Sequence, residues 1–115
     1  MELNQYQEEI IKFDVFTGRQ EISQIDLPFL DKVLGLSGET GEVADKVKKI
    51  IRDKEGKISA KDSLDLAKEL GDVLWYLATS ARYLGLSLDE IAASNIAKLE
   101  SRLARDQISG SGDNR

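Results

Sequence analysis

The chain has 115 residues and a formal net charge of −5 at pH 7, and it contains neither cysteine nor histidine. This length fits one domain with a single core. The composition excludes disulfides, zinc–thiolate sites and a histidine general base, so any catalysis must use carboxylates and metal. The acidic balance argues against binding of nucleic-acid polymers, because phosphate backbones are held by clustered Lys and Arg.

A soluble helical protein is indicated by 41% hydrophobic residues, 32% charged residues and a single proline. The sequence has no run of about 18 apolar residues and no cationic leader before an apolar segment, so we expect neither a membrane span nor export. We therefore predict a cytoplasmic protein with no membrane partner. A small phosphorylated ligand bridged by metal remains compatible with the negative charge.

The apolar spacing predicts helices over about residues 3–16, 26–54, 59–84 and 88–105. Thr17 and Gly18 interrupt the first pattern. Gly56 and Gly85 are the expected stops of the second and third helices. Ser87 is the expected cap of the fourth helix, with Glu90 completing a capping box.

These helices predict an all-α fold, a four-helix bundle in which the second and third helices are antiparallel. A single domain over residues 1–108 is expected, followed by a disordered tail over residues 109–115 that is rich in Gly, Ser and Asp. Apolar residues occur on more than one side of these short helices, including Leu74 and Trp75, which indicates that another subunit completes the core. We predict a homodimer or a homotetramer.

Two acidic pairs lie on the second and third helices, Glu39/Glu42 and Glu69/Asp72. Residues three apart project from one face of a helix, so each pair presents two carboxylates that repel unless a cation lies between them. Antiparallel packing brings the four acids together, and oxygen donors without His or Cys suit a hard divalent cation. The sequence predicts a Mg²⁺ site, with Mn²⁺ as a substitute, in which these four residues are both metal ligands and catalytic groups.

Acidic pairs on helix surfaces are most often merely solvated, so the alternative is a non-catalytic helical bundle or interaction module. Three glycines beside the first pair favour a site: Gly35, Gly38 and Gly41 each cost about 1 kcal/mol relative to Ala inside a helix. We expect close helix approach or room for a ligand there. The absence of His argues against a carboxylate-bridged di-iron bundle, which normally uses Glu-x-x-His pairs.

Three segments resemble the MazG-like nucleotide pyrophosphohydrolases, all-α enzymes related to dimeric dUTPases: GETGE at 38–42, ELGDVLWY at 69–76 and NIAKL at 95–99. The family motif is Glu-Glu-x-x-Glu, a spacer, then Glu-x-x-Asp. Gly38 replaces the first Glu, whereas the positions of the metal ligands are kept as Glu39, Glu42, Glu69 and Asp72. The resemblance covers about residues 30–102. It implies Mg²⁺-dependent hydrolysis of nucleoside triphosphates between the α- and β-phosphates, leaving the base and sugar open.

The triphosphate implied by this resemblance needs polar partners opposite the acids. Asn95 and Lys98 occupy, on the fourth helix, positions equivalent to the acids, and an amide and an ammonium suit phosphate oxygens. We predict that both bind substrate, with Lys49 and Tyr76 lining the same space. The alternatives are an ordinary ion pair with Glu42 for Lys49, a core tyrosine for Tyr76 and a solvated lysine for Lys98.

Overall fold

The computed structural model describes residues 1–16 and 24–114. Its elements are α1 (Leu3–Glu9), a 3-10 helix (Ile10–Phe13), α2 (Leu27–Lys54), α3 (Ala60–Tyr83) and α4 (Leu88–Ala104). Within the described ranges there is no β-strand, so the predicted all-α class with four helices is confirmed. The interruption predicted at Thr17 and Gly18 lies outside these ranges. No helix of the described chain is long and apolar enough to cross a membrane.

Side-chain caps begin the three long helices. Asp26 accepts a hydrogen bond from the backbone N–H of Phe29 at 2.9 Å. Ser59 and Ser87 each form a capping box with the acidic residue three positions later. The helix starts predicted near residues 26, 59 and 88 are therefore confirmed, because each depends on a hydrogen bond between close neighbours in sequence.

The two longest helices, α2 and α3, form an antiparallel hairpin connected by residues 55–59. Near the middle of the hairpin, Lys46 Nζ lies 3.3 Å from Glu69 Oε1. At its open end the rings of Phe29 and Tyr83 have centroids 6.2 Å apart. Earlier residues of α2 thus meet later residues of α3, which confirms the predicted antiparallel arrangement.

Gly35 allows α2 and α3 to approach closely. A Cβ atom at Gly35 would lie 2.1 Å from Cε1 of Tyr76, so any side chain there would displace the tyrosine ring. Close approach therefore explains this glycine. Gly38 and Gly41 differ, because a Cβ at either position would have nothing within 4 Å in the described structure. They leave open space on α2 beside the acidic pair.

The small core lies where α1 and α4 pack near the C-terminal end of α3. Its buried apolar members are Ile10, Ala78, Ala81 and Leu88. Gln7 connects the three helices, because its side-chain amide donates to the carbonyl of Ala78 at 3.2 Å and accepts from the N–H of Leu88 at 3.1 Å. This region anchors α1 and α4, while most of the α2–α3 hairpin extends beyond it.

A buried ion pair holds the segment after the 3-10 helix against the hairpin. Lys32 Nζ lies 2.9 Å from Asp14 Oδ1, and the two side chains are 2% and 1% exposed. The Tyr83 hydroxyl donates to Asp14 Oδ2 at 2.9 Å.

The predicted first helix is too long: α-helical structure ends at Glu9 and the 3-10 helix at Phe13. The chain then leaves the helical conformation, with Asp14 at ψ 83° directed to Lys32.

Candidate metal centre

Three of the four predicted ligands come together between α2 and α3. One carboxylate oxygen from each of Glu39, Glu69 and Asp72 lies within 4.8 Å of the other two. Glu39 and Glu69 are half-buried and Asp72 is exposed, so the group is open to solvent on one side. Carboxylate oxygens with no His or Cys among them are the donor type that Mg²⁺ takes. The donor set fits a hard divalent cation.

The electrostatics of this acidic cluster, Glu39, Glu69 and Asp72, favour a bound cation. Partial burial raises the pKa of Glu39, and the negative charges of Asp72, Glu69 and Glu42 raise it further. A raised carboxyl pKa means that the folded protein binds a proton more readily than the unfolded chain. The charged cluster therefore costs stability above that pKa, and a divalent cation between the carboxylates would remove this cost.

Glu42, the fourth predicted ligand, is exposed on α2. Its carboxylate is not among the three that converge, although its charge contributes to the raised pKa of Glu39. Glu42 lies one helical turn beyond Glu39, so its side chain borders the cluster without entering it. Its role as a ligand remains a prediction.

The lysine beside the acidic cluster is Lys46 rather than Lys49. Lys46 reaches across the hairpin to Glu69. Lys49 instead pairs with Asp45 one turn earlier on α2, and hydrogen bonds from Lys49 and then Lys48 lower the pKa of Asp45 to about 2. Both lysines line a cavity of about 180 Å³ near the hairpin connection. The structure therefore gives Lys49 an ordinary ion pair on its own helix, but its partner is Asp45 rather than the Glu42 suggested by the sequence.

The ring of Tyr76 is packed rather than free. It lies over Gly35 and meets the Trp75 ring edge-on, with centroids 4.8 Å apart and an interplanar angle of 89°. It is half-buried and lies one turn after Asp72 on α3. This packing agrees with the core-tyrosine alternative, and a contact between Tyr76 and substrate remains a prediction.

The predicted residues of α4 lie in a cavity separate from the acidic cluster. Asn95 and Lys98 line a space of about 460 Å³ whose lining includes none of the clustered acids. Lys98 Nζ is 3.4 Å from Asp113 Oδ1, and the buried Arg102 donates to the Asp113 carbonyl at 2.8 Å. Asp113 belongs to the tail expected to be disordered, which here contacts α4. Substrate binding by Asn95 and Lys98 remains a prediction.

Comparison with known proteins assigns the family. Residues 30–105 match the model of the MazG nucleotide pyrophosphohydrolase domain. The chain belongs to this family. The MazG match includes all four acids and α4, and it confirms the resemblance seen in the three sequence segments. The Gene 37 protein of Mycobacterium phage L5 is 52% identical over 82 residues, which are 71% of this chain and 72% of that protein. No solved structure matches the chain.

Residues before the MazG match also contribute to the surroundings of the cluster, and the sequence did not single them out. Burial raises the pKa of Tyr6 on α1, and the negative charge of Asp72 raises it further, so a phenol from α1 lies within electrostatic reach of Asp72. In the sequence Tyr6 is only one member of the apolar stripe of the first helix. Nothing in that pattern distinguishes it from an ordinary core tyrosine.

Proposed function

We propose that this MazG family member is a Mg²⁺-dependent pyrophosphohydrolase. It cleaves ribo- or deoxyribonucleoside triphosphates between the α- and β-phosphates, giving a nucleoside monophosphate and pyrophosphate, and serves to clean the nucleotide pool. The observation that supports this most strongly is the convergence of Glu39, Glu69 and Asp72 on two facing helices inside the MazG match. Mn²⁺ is expected to replace Mg²⁺, since both are bound by oxygen ligands.

The acids would hold the metal that makes the site attractive to a polyanion. A triphosphate carries about four negative charges, which bare carboxylates repel, so Glu39, Glu69 and Asp72, with Glu42 beside them, need a divalent cation between themselves and the phosphates. When bound, Mg²⁺ polarises the phosphoryl group and lowers the pKa of a water molecule. Glu39 is our choice for orienting that water and receiving its proton, because its carboxylate is among the three whose oxygens converge.

A substrate panel tests this function. Canonical and modified ribo- and deoxyribonucleoside triphosphates are incubated with Mg²⁺, with Mn²⁺ and with a chelator, and turnover is measured for each. We expect turnover that requires the metal and a melting temperature that rises when Mg²⁺ is added. If Mg²⁺ neither supports turnover nor raises the melting temperature, the chain is a non-catalytic helical bundle.

We also propose that the protein is a homodimer or homotetramer, because a single chain leaves too much apolar surface exposed. The radius of gyration is 17.0 Å, whereas a compact domain of this length has about 13 Å. Large apolar side chains on α2, α3 and α4 are exposed, among them Leu34 at 63%, Leu70 at 55% and Leu103 at 70%. Light scattering at micromolar concentration should give a multiple of the 12.8 kDa chain mass, and a monomer would contradict this.

Lys98→Ala is expected to lower kcat/KM by roughly 10- to 100-fold while leaving Mg²⁺ affinity of the nucleotide-free protein near normal. The reason is that this ammonium already pairs with the carboxylate of Asp113, an anion that a phosphate group would replace. Lys48→Ala is the matched control, because the ion pair of Lys48 within residues 1–16 and 24–114 is with Asp45, and Lys48 is 69% exposed. Wild-type kinetics in the Lys98 variant would remove α4 from the site.

A further inference from the structure

Lys46 is the cation that contacts the acidic cluster. Within the described residues, no ion pair other than the one between Lys46 and Glu69 includes a cluster carboxylate. It joins α2 to α3, with Lys46 36% exposed and Glu69 19% exposed. The N–O separation of 3.3 Å is long for a charge-assisted hydrogen bond, so the ammonium is held mainly by charge. It remains free to move toward solvent.

The position of Lys46 makes it a competitor of any metal at the cluster. Its ammonium uses an oxygen of Glu69, and the same residue is one of the three whose oxygens converge. A divalent cation held by the Glu69 carboxylate would repel the ammonium of Lys46. The lysine stem is flexible, so an ammonium displaced from Glu69 would stay beside the site.

We propose that Lys46 is a resident counter-cation that exchanges Glu69 for substrate phosphate when metal binds. Without metal, its ammonium offsets part of the repulsion among Glu39, Glu69 and Asp72. With metal bound, the Lys46 ammonium pairs with the β- and γ-phosphates of the substrate and, after cleavage, with the pyrophosphate that they form. Lys46 is thus a substrate- and product-binding residue whose pairing depends on the metal. This inference rests on the proposed function.

Two equilibrium measurements on Lys46→Met test the exchange. Mn²⁺ binding to the nucleotide-free protein, followed by electron paramagnetic resonance, should become roughly 2- to 5-fold tighter, because a competing exposed cation is removed. Pyrophosphate binding in the presence of Mg²⁺, followed by calorimetry, should become roughly 10-fold weaker, because a charge-assisted contact is lost. Lys46→Gln should behave alike, and circular dichroism confirms that each variant keeps its helix content.

Lys48→Met is the matched control. It removes the same charge from the same helix, but among the described residues Lys48 pairs with Asp45 and with no cluster carboxylate. Its affinities for Mn²⁺ and pyrophosphate should stay within about twofold of wild type. The inference is overturned if the Lys46 and Lys48 variants behave alike, or if either affinity is unchanged in both Lys46 variants. Failure of the proposed function is seen separately, as absence of triphosphate turnover in the wild-type protein.

Discussion

Replacing Asp72 by alanine is expected to lower kcat by about 10³-fold or more while leaving the helix content intact. The reason is that Asp72 supplies one of the three converging oxygens. Metal catalysis of this kind contributes several kcal/mol to stabilisation of the transition state, and each 1.36 kcal/mol corresponds to a factor of ten in rate. Steady-state kinetics at saturating Mg²⁺ measures the effect, with circular dichroism as the check on folding.

Asp72→Ala should lower the activity without lowering the stability of the metal-free protein. Loss of the Asp72 charge relieves the repulsion that raises the pKa of Glu39, so the metal-free variant should melt no lower than wild type and gain less from added Mg²⁺. A carboxyl group whose pKa is raised in the folded state favours folding when it is protonated. Wild type should therefore gain stability as the pH falls through the raised pKa of Glu39, and the variant should gain less. Glu100→Ala, at an exposed position on α4, is the control. Full activity in the Asp72 variant would refute the metal-site assignment.

Asp14→Asn is expected to lower the free energy of unfolding by about 3–5 kcal/mol. The change leaves the buried ammonium of Lys32 without its buried carboxylate, and breaking a buried pair from one side costs this much. Urea unfolding at a fixed protein concentration measures the loss, since the free energy of an oligomer depends on concentration.

Asp31→Asn is the matched control for the buried pair. Asp31 also contacts Lys32 Nζ, at 2.8 Å, but its side chain is 47% exposed. Its loss should cost at most about 1 kcal/mol, as for surface ion pairs. If Asp14→Asn costs no more than Asp31→Asn, the buried pair does not hold the segment after the 3-10 helix in place.

The features predicted correctly from the sequence depend on short-range rules. The capping box at Ser87 and Glu90 needs only a spacing of three residues, and the structure has it. Helical spacing and a five-residue connection fix the direction of α3 against α2, which brings Glu39 close to Glu69 and Asp72. The capping box and the direction of α3 can be predicted without knowing any side-chain conformation, so the sequence alone is enough for both.

The features that the sequence did not predict depend on which partner a side chain finds in space. Lys46 and Lys49 lie three residues apart, yet one reaches Glu69 on α3 and the other pairs with Asp45 on its own helix. Asp14 and Lys32 are far apart in the chain, so their burial together follows only from the packed fold. Spacing gives the face of a helix that a charge occupies, but tertiary packing selects the ion pair.

Phosphorus NMR of the reaction products tests the central claim most directly. A nucleoside triphosphate that the panel identifies as a substrate is incubated with the wild-type protein and Mg²⁺, and with the Asp72→Ala variant as the control. Cleavage between the α- and β-phosphates predicts one resonance for the nucleoside monophosphate and one for pyrophosphate. The two products should form in equal molar amounts with wild type, and neither should form with the variant. Formation of a nucleoside diphosphate and inorganic phosphate, or equal turnover by the Asp72 variant, would contradict the proposed pyrophosphohydrolase.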